Sequence, residues 1–359
     1  MALNVKHTAV GRACALLSGV ALLLGIASVR LSAQEGRFSA TLLDAGMIYE
    51  QSPFPSCHAS TVVCLADGLL AAWFGGTREG HPDVCIYASR KTEGNAWSMP
   101  QLIADGIQDD GVRYPCWNPV LFKRDNGDIV LYYKVGASPR KWWGEYKISQ
   151  DEGRTWSEKR EIPRSCLGPV KNKPVRLPTG LILYPTSIEV MGKWNVYMET
   201  SAQDLTGWEK IEIDNDGFDA IQPSVLHHED GSLQILCRSR NKRIVESWSV
   251  DNGKTWSKLS ATSLPNNNAG TDALTLSNGL QLLVYNPITE GRNRLAVAAS
   301  KDGKAWEKLI DLENQPAGEF SYPAVIEDKN GIVHVTYTYN REQIKHVTLQ
   351  ITGSPATTK

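Results

Sequence analysis

Arginines follow several of the chain's apolar runs, in positions where they could bind an anion together. Arg238 directly follows the run Leu233–Cys237, and Arg341 follows the run Ile332–Tyr339. The chain carries 38 Lys and Arg against 39 Asp and Glu, so these cations are a local excess in a nearly neutral protein. A guanidinium group binds a carboxylate or a sulfate through two parallel hydrogen bonds. We therefore predict an anionic ligand, although each arginine could instead pair with a neighbouring acid.

The composition excludes several classes of function. A formal charge of −1 provides no basic field for nucleic acid or for a lipid surface, so neither is a predicted partner. Gly-rich phosphate loops, Ser-His-Asp combinations and H-E-x-x-H runs are absent from the sequence. The cysteines after position 33 show neither a C-x-x-C pair nor a histidine at zinc spacing, so no metal and no cofactor is predicted. A Cys57–Cys116 bridge is one possible pairing.

A repeated turn indicates how the site residues are held. The pattern S-x-D-x-G-x-x-W occupies residues 149–156 and 249–256, and a copy shortened by one residue occupies 300–306. In such a turn the Asp accepts backbone N–H groups, the Gly takes a positive φ, and the Trp packs back between strands. Tryptophans recur at positions 97, 156, 208, 256 and 306, and turn glycines at 68, 127, 180, 231, 279 and 331. The six glycines indicate six units.

Units of about fifty residues with about four short strands each predict an all-β fold, a six-bladed β-propeller of four-stranded antiparallel blades. The sixth unit ends early in the sequence. We therefore expect Arg37–Leu43 to supply its outer strand, which would close the ring and remove a sheet edge. The propeller is predicted over residues 34–352, with a polar tail over 353–359, and as a monomer.

The first 33 residues are typical of a signal peptide. Lys6 and Arg12 form a basic start, Ala13–Ile26 is apolar, and Leu31-Ser-Ala33 is an imperfect cleavage site. The apolar run is short for a membrane span, so no stable span is expected after processing. We predict a secreted or periplasmic protein, with a retained N-terminal anchor as the alternative.

The blade model predicts one shared pocket. Residues just before the first strand of each blade and just after the second meet around the central channel, at the face opposite the repeated turns. Aromatic members such as Trp117 could also serve as platforms for sugar rings. The predicted pocket residues are His58, Arg78, Trp117, Asn118, Lys173, Gln222, Arg238, Arg240, Asp272, Tyr322 and Arg341.

Several segments at these positions resemble the sialidase (neuraminidase) superfamily, in particular its bacterial BNR-repeat branch, over about residues 54–349. The repeated turns look like that family's Asp boxes. Residues 74–83, FGGTREGHPD, resemble its first-blade segment, which carries an arginine and then an acid/base aspartate. Residues 236–239 and 286–295 resemble segments that carry arginines of a carboxylate-binding triad. Residues 320–325, FSYPAV, resemble the segment with the tyrosine nucleophile.

The resemblance implies an exported exo-glycosidase that hydrolyses a terminal acidic sugar, sialic acid or a related one, from a glycan partner. Asp83 would be the acid/base group. Tyr322 would be the nucleophile or would stabilise transition-state charge, with Glu319 as its possible activator. The sugar carboxylate would be bound by Arg78, Arg238 and Arg292.

Two departures from the family leave other functions open. His58 stands where the family has an arginine, and losing such a charge-assisted pair weakens binding by about 2–3 kcal/mol. Gln222 stands where the family has the glutamate that activates the tyrosine. One alternative is a uronate-directed propeller lyase or glycosidase with His58 or His81 as base. The other is a propeller that binds glycans without turnover.

Overall fold

The computed structural model describes residues 38–92 and 94–353, which form 24 strands in six four-stranded sheets. The first strand is β1 (Ser39–Met47). Blade 1 consists of β2 (Ser56–Cys64), β3 (Gly68–Gly76), β4 (Cys85–Thr92) and β5 (Gln101–Ala104). Blade 2 consists of β6 (Cys116–Lys123), β7 (Ile129–Gly136), β8 (Trp142–Ser149) and β9 (Arg160–Glu161). Blade 3 consists of β10 (Val175–Arg176), β11 (Ile182–Val190), β12 (Lys193–Ser201) and β13 (Glu209–Glu212).

The other three blades repeat the pattern. Blade 4 consists of β14 (Ala220–His227), β15 (Leu233–Ser239), β16 (Arg243–Ser249) and β17 (Ser260–Pro265). Blade 5 consists of β18 (Asp272–Thr275), β19 (Gln281–Tyr285), β20 (Arg294–Ser300) and β21 (Glu307–Asn314). Blade 6 consists of β22 (Phe320–Glu327), β23 (Ile332–Tyr339) and β24 (Gln343–Thr352), completed by β1. The predicted six-bladed all-β propeller is confirmed. The predicted signal peptide and residues 354–359 of the predicted tail lie outside the described residues.

The hydrophobic core is divided among the interfaces between neighbouring blades. Leu70 of blade 1 packs in one cluster with Leu121 of blade 2, and Leu183 of blade 3 shares another cluster with Ile235 of blade 4. Each sheet is therefore apolar on both faces and cannot bury them without its neighbours. Among the described residues there is no helix long and apolar enough to cross a membrane.

The ring closes by pairing the first strand of the chain with the last. β1 runs antiparallel to β24 from the pair Ser39–Thr352 to the pair Met47–Lys345, with a bulge between Leu42 and Asp44. The prediction that this segment supplies the outer strand of blade 6 is confirmed, although β1 covers Ser39–Met47 and Arg37 lies outside the described residues. This pairing covers the edge of β24, which would otherwise be the exposed outer edge of blade 6.

The repeated turns adopt the predicted conformation. Asp251 accepts the backbone N–H of Thr255 at 2.9 Å and its hydroxyl at 2.6 Å, and these bonds lower the pKa of Asp251 to about 2. Gly253 has a φ of 79°. The Trp256 indole donates to the Gly253 carbonyl at 3.0 Å and packs on the cluster between blades 3 and 4.

The turns and the predicted pocket lie at opposite ends of the strands. Leu233, at the start of β15, pairs with Ser249 beside a turn, whereas Arg238 lies near the end of the same strand. The repeated turns therefore stabilise one face of the propeller, and the loops that carry the predicted pocket lie on the opposite face.

The possible Cys57–Cys116 bridge is not formed. Both cysteines are buried and free. The thiol of Cys57 instead accepts a hydrogen bond from the Tyr49 hydroxyl at 3.0 Å, on the side of the chain's start. Cys116 lies in blade 2 and joins the cluster between blades 1 and 2.

We expect Trp256→Ala to lower the free energy of unfolding by about 2–4 kcal/mol, because it removes a large, partly buried side chain from the interface between two blades. Urea denaturation measures the change. Lys254→Ala, at an exposed position of the same turn, should change stability by less than about 0.5 kcal/mol. Equal effects of the two variants would contradict the role of the tryptophan.

Candidate active site

Four inner strands carry the same bulge at the end nearest the predicted pocket. The register shifts after His58 in β2, after Trp117 in β6, after Ile221 in β14 and after Ser321 in β22. A bulge re-aims side chains and is frequent beside active sites. At each bulge one non-glycine residue has a positive φ, a conformation that costs about 1–3 kcal/mol. These residues are Ala59, Asn118, Gln222 and Tyr322, with φ values of 58°, 23°, 57° and 54°.

Tyr322 is the centre of the site. Its ring lies 4.1 Å from the ring of His58, measured between centroids. The guanidinium carbons of Arg238 and Arg292 lie 5.5 and 5.8 Å from its ring centroid, and the ammonium of Lys171 lies 5.8 Å from it. Cations from blades 3, 4 and 5 therefore surround a tyrosine of blade 6, as the predicted shared pocket requires.

Arg238 is buried and almost fully hydrogen-bonded. One terminal nitrogen donates to the Tyr322 hydroxyl and, at 3.2 Å, to the side-chain oxygen of Gln222. The other donates to the backbone and side-chain oxygens of Asn268, at 2.6 and 2.9 Å. Its Nε has no partner among the described residues. Arg238 therefore positions Tyr322 and Gln222, and its two terminal nitrogens have no hydrogen left for a bidentate bond to a ligand.

Arg292 and Arg341 share a carboxylate and keep donors available. Glu319 Oε1 accepts Arg292 Nη1 at 2.8 Å and Arg341 Nε at 3.0 Å. Burial acts to raise the pKa of Glu319, but Arg341 and Arg292 outweigh it, so the pKa lies below its ordinary value. Arg341 also donates to Glu79 at 2.5 Å. The two arginine side chains are 24% and 31% exposed, in contrast to buried Arg238.

His58 is buried beneath these groups and is uncharged. Burial, reinforced by Arg341, Arg292 and Arg238, lowers its pKa well below the ordinary value. Arg341 Nη2 lies 3.5 Å from His58 Nε2. Since arginine only donates, Nε2 is the acceptor and the ring hydrogen lies on Nδ1. That Nδ1 is buried and has no partner among the described residues.

Lys171 and Asn172 bind several blades together at the axis. The Lys171 ammonium donates to Asn172 Oδ1 at 2.8 Å, to the Thr271 carbonyl at 3.0 Å and to the Pro323 carbonyl at 2.6 Å. The Asn172 amide donates to the carbonyls of Gln222 and Pro223, both at 3.0 Å, and to Ser224 Oγ at 2.8 Å. Blade 3 thereby contacts blades 4, 5 and 6. Burial lowers the pKa of Lys171 to about 7.

The loop 77–83 covers one side of the site. Glu79 carries the ion pair to Arg341, and the Gly80 backbone lies against Trp117, so that a β-carbon there would be 3.3 Å from its ring. Asp83 accepts the backbone N–H and hydroxyl of Thr77, at 3.0 and 2.6 Å. Arg78 is exposed on this loop. Arg341 reaches the cluster through Glu319 and His58, whereas the role predicted for Arg78 stays a prediction.

The remaining predicted pocket residues surround this cluster. Lys173 and Asp272 form an ion pair of 2.8 Å, and Asp272 is buried and also accepts the backbone N–H of Val325 at 2.9 Å. Arg240 is exposed and stacks on Trp194, 3.9 Å from its centroid. Asn118 is buried in the bulge of β6, next to Trp117. Within residues 38–92 and 94–353, no three His, Cys, Asp or Glu side chains are grouped so as to hold a metal ion.

Sequence reasoning missed Lys171, Asn268 and Trp194. Lys171 precedes the predicted pocket position Lys173 by two residues, and only the blade contacts show that it turns into the axis. One signal was available for the bulges. Asn118, Gln222 and Tyr322 each precede a proline at corresponding places of three units.

The chain is similar to known proteins in sequence pattern and in fold. The family model of the BNR repeat-like domain matches residues 67–335. No curated protein matches the chain. A protein of unknown function from Dyadobacter fermentans has 15% identity and a TM-score of 0.72, with 88% of this chain and 100% of that chain covered.

Two solved sialidase structures have the same fold. The NanB sialidase from Streptococcus pneumoniae has 12% identity and a TM-score of 0.66, with 85% of this chain and 70% of that chain covered. The Trypanosoma rangeli sialidase in complex with the inhibitor DANA has 14% identity and a TM-score of 0.67, with 82% of this chain covered. The match spans 55% of the trypanosome protein.

We expect the stability of the wild type to rise relative to that of Lys171→Met as the pH increases from 7 to 9.5. Folded Lys171 loses its proton near pH 7, whereas the unfolded chain holds it to about pH 10.4, so the unfolded state binds more protons in this window. The cost of burying the charge is complete below pH 7 and is relieved above it, by about 1–3 kcal/mol. Urea denaturation of both proteins at pH 6.5 and 9.5 measures the change. A difference in stability that is constant with pH would contradict it.

Proposed function

Because the chain belongs to the BNR repeat-like family and has the fold of the sialidases, we propose that it is a glycosidase of the sialidase type. Its substrate is a glycan that ends in an acidic sugar, sialic acid or a related one. The supporting observation is the cluster of cationic side chains from separate blades around Tyr322. We propose further that the protein is exported, since its first 33 residues have the pattern of a signal peptide.

The sugar carboxylate binds Arg292 and Arg341. Both terminal nitrogens of Arg238 already donate hydrogen bonds to Tyr322, Gln222 and Asn268. Arg238 therefore contributes its positive charge to carboxylate binding rather than a bidentate hydrogen bond. Arg292 and Arg341 are the more exposed arginines, and the Glu319 carboxylate between them fixes their spacing. A guanidinium pair held in this way recognises a planar carboxylate with little reorganisation.

Tyr322 lies where positive charge develops on the sugar. Its hydroxyl accepts from Arg238, so the guanidinium holds the oxygen in place and cannot take up its proton. The electron-rich ring and oxygen stabilise an oxocarbenium-like transition state. The proton for the leaving group comes from loop 77–83, which carries His81 and Asp83, each with a side chain 40% exposed.

A second candidate is a uronate-directed lyase or glycosidase. The observation in its favour is His58, which is uncharged and contacts the Tyr322 ring, while no carboxylate among the described residues hydrogen-bonds the Tyr322 hydroxyl. Removing a proton beside a carboxylate requires a neutral base and cations that neutralise the acid. With its hydrogen on Nδ1, His58 would act as this base through Nε2.

We expect the purified protein to release sialic acid from a 4-methylumbelliferyl sialoside, and Arg292→Ala and Arg341→Ala each to lower kcat/KM by about 10–100-fold. Each variant removes a charge-assisted hydrogen bond to the carboxylate, which contributes about 1.5–3 kcal/mol. Fluorescence of the released aglycone measures the rate.

Arg154→Ala, at an exposed Asp-box turn on the opposite face, is the matched control and should retain the wild-type rate. Release of an unsaturated product from a uronate polymer, without sialic acid release, would support the second candidate instead. Binding of sialosides without turnover of either substrate would show a glycan-binding propeller and refute the proposed hydrolysis.

A further inference from the structure

The ring of Trp194 connects the central cluster to an exposed arginine. The guanidinium carbon of Arg238 lies 5.0 Å from the centroid of this ring, and the guanidinium carbon of Arg240 lies 3.9 Å from it. Arg238 in turn donates to the Tyr322 hydroxyl. Because the face of an indole attracts a cation, both arginines are held against the same aromatic side chain. The exposed guanidinium of Arg240 is therefore fixed next to the cluster around Tyr322.

Most hydrogen-bond donors of the Arg240 side chain are available to a ligand. Its Nη1 donates to the Gly192 carbonyl at 2.9 Å, and its guanidinium forms no other hydrogen bond and no ion pair within the part of the chain that the structure describes. Glu189 lies opposite Trp194 in the pairing of β11 with β12 but is not ion-paired with Arg240. A guanidinium has five N–H donors, so most of them remain unused here, in contrast to those of Arg238.

The tip of the hairpin between β11 and β12 places apolar atoms beside Arg240. Val190 pairs with Lys193, so Met191 and Gly192 form a two-residue turn with φ values of 50° and 80°. Such turns favour Asn, Asp or Gly at the first position, because a positive φ is costly for a larger side chain. The residue found there is Met191, which is 97% exposed. A flexible methionine adapts to apolar surfaces such as the C–H face of a sugar ring.

We propose that Arg240 and the hairpin tip, residues 190–192, form a second anion subsite. It binds a further acidic group of the glycan while Arg292 and Arg341 bind the carboxylate of the terminal sugar. This inference rests on the proposed function and narrows its substrate class to glycans with two anionic groups. The further group is the carboxylate of a second acidic sugar or a sulfate ester, because a guanidinium binds either through two parallel hydrogen bonds.

The test compares three glycans that differ in their second anionic group. Sialyllactose has none, disialyllactose has the carboxylate of a second sialic acid, and sialyllactose sulfated on its galactose has a sulfate ester. Chromatography of the released sialic acid measures kcat/KM for each. We expect the wild type to prefer at least one of the two dianionic glycans over sialyllactose by about tenfold, and Arg240→Gln to lose most of this preference. The glycan that is preferred identifies the source of the second anion.

Arg154→Gln is the matched control and should keep the wild-type preference. Arg154 is also exposed, and its Nη1 also donates to a turn carbonyl, that of Asp151 at 3.0 Å, but it lies on the opposite face. Arg240→Lys keeps the charge without the planar guanidinium and should keep an intermediate preference. The loss in Arg240→Gln should appear in KM more than in kcat, because the second anion is bound equally in the ground state and the transition state.

The outcomes separate the subsite from the proposed function. A wild type that hydrolyses none of the three glycans refutes the proposed function. Calorimetry with a thio-linked disialyllactose, which resists hydrolysis, then still tests the subsite, since Arg240→Gln should bind it about tenfold more weakly than the wild type. Equal binding would overturn the subsite. An active wild type without a preference, or with one that Arg240→Gln retains as fully as Arg154→Gln, refutes the subsite and leaves the proposed function intact.

Discussion

The pairing of β1 with β24 holds the propeller closed. It links the first and the last strand of the propeller, and blades 1 and 6 both contribute residues to the proposed site. His58 of blade 1 contacts Tyr322 of blade 6, and Glu79 of blade 1 is ion-paired with Arg341 of blade 6. The backbone N–H of Cys57 also donates to the Arg341 carbonyl at 2.7 Å. An open ring would separate these partners and leave a sheet edge exposed.

The site brings several cations together, and the folded protein must provide hydrogen-bond acceptors for those that are buried. Burying an unpaired charge is costly, so each cation in the cluster has oxygen partners. Lys171 has three acceptors, Arg238 has acceptors on three residues, and Glu319 is shared by Arg292 and Arg341. The cations of this cluster differ in how fully the protein's own acceptors satisfy their hydrogen bonds. The buried cations are satisfied by the protein itself, whereas the more exposed Arg292 and Arg341 retain donors that a ligand carboxylate can use.

The architecture was predictable because its signals repeat along the chain. Turn motifs and glycines at regular spacing indicate six blades, and an incomplete last unit indicates that the chain's start completes it. The positions of Arg238, Arg341 and Tyr322 followed from the blade model. The hydrogen-bond partners of these residues could not be predicted, because they depend on the geometry of side chains from different blades. Arg78 is exposed on a turn held by Thr77 and Asp83, and its predicted role in binding the carboxylate stays a prediction.

The most direct test is a crystal structure of the protein with DANA, the inhibitor bound in the trypanosome sialidase structure. In our proposal, side chains from separate blades form one binding site for a carboxylate above Tyr322. We expect the inhibitor's carboxylate within hydrogen-bonding distance of Arg292 and Arg341, with its ring over the Tyr322 hydroxyl. An inhibitor bound away from the axis, or with its carboxylate directed to solvent, would contradict the claim.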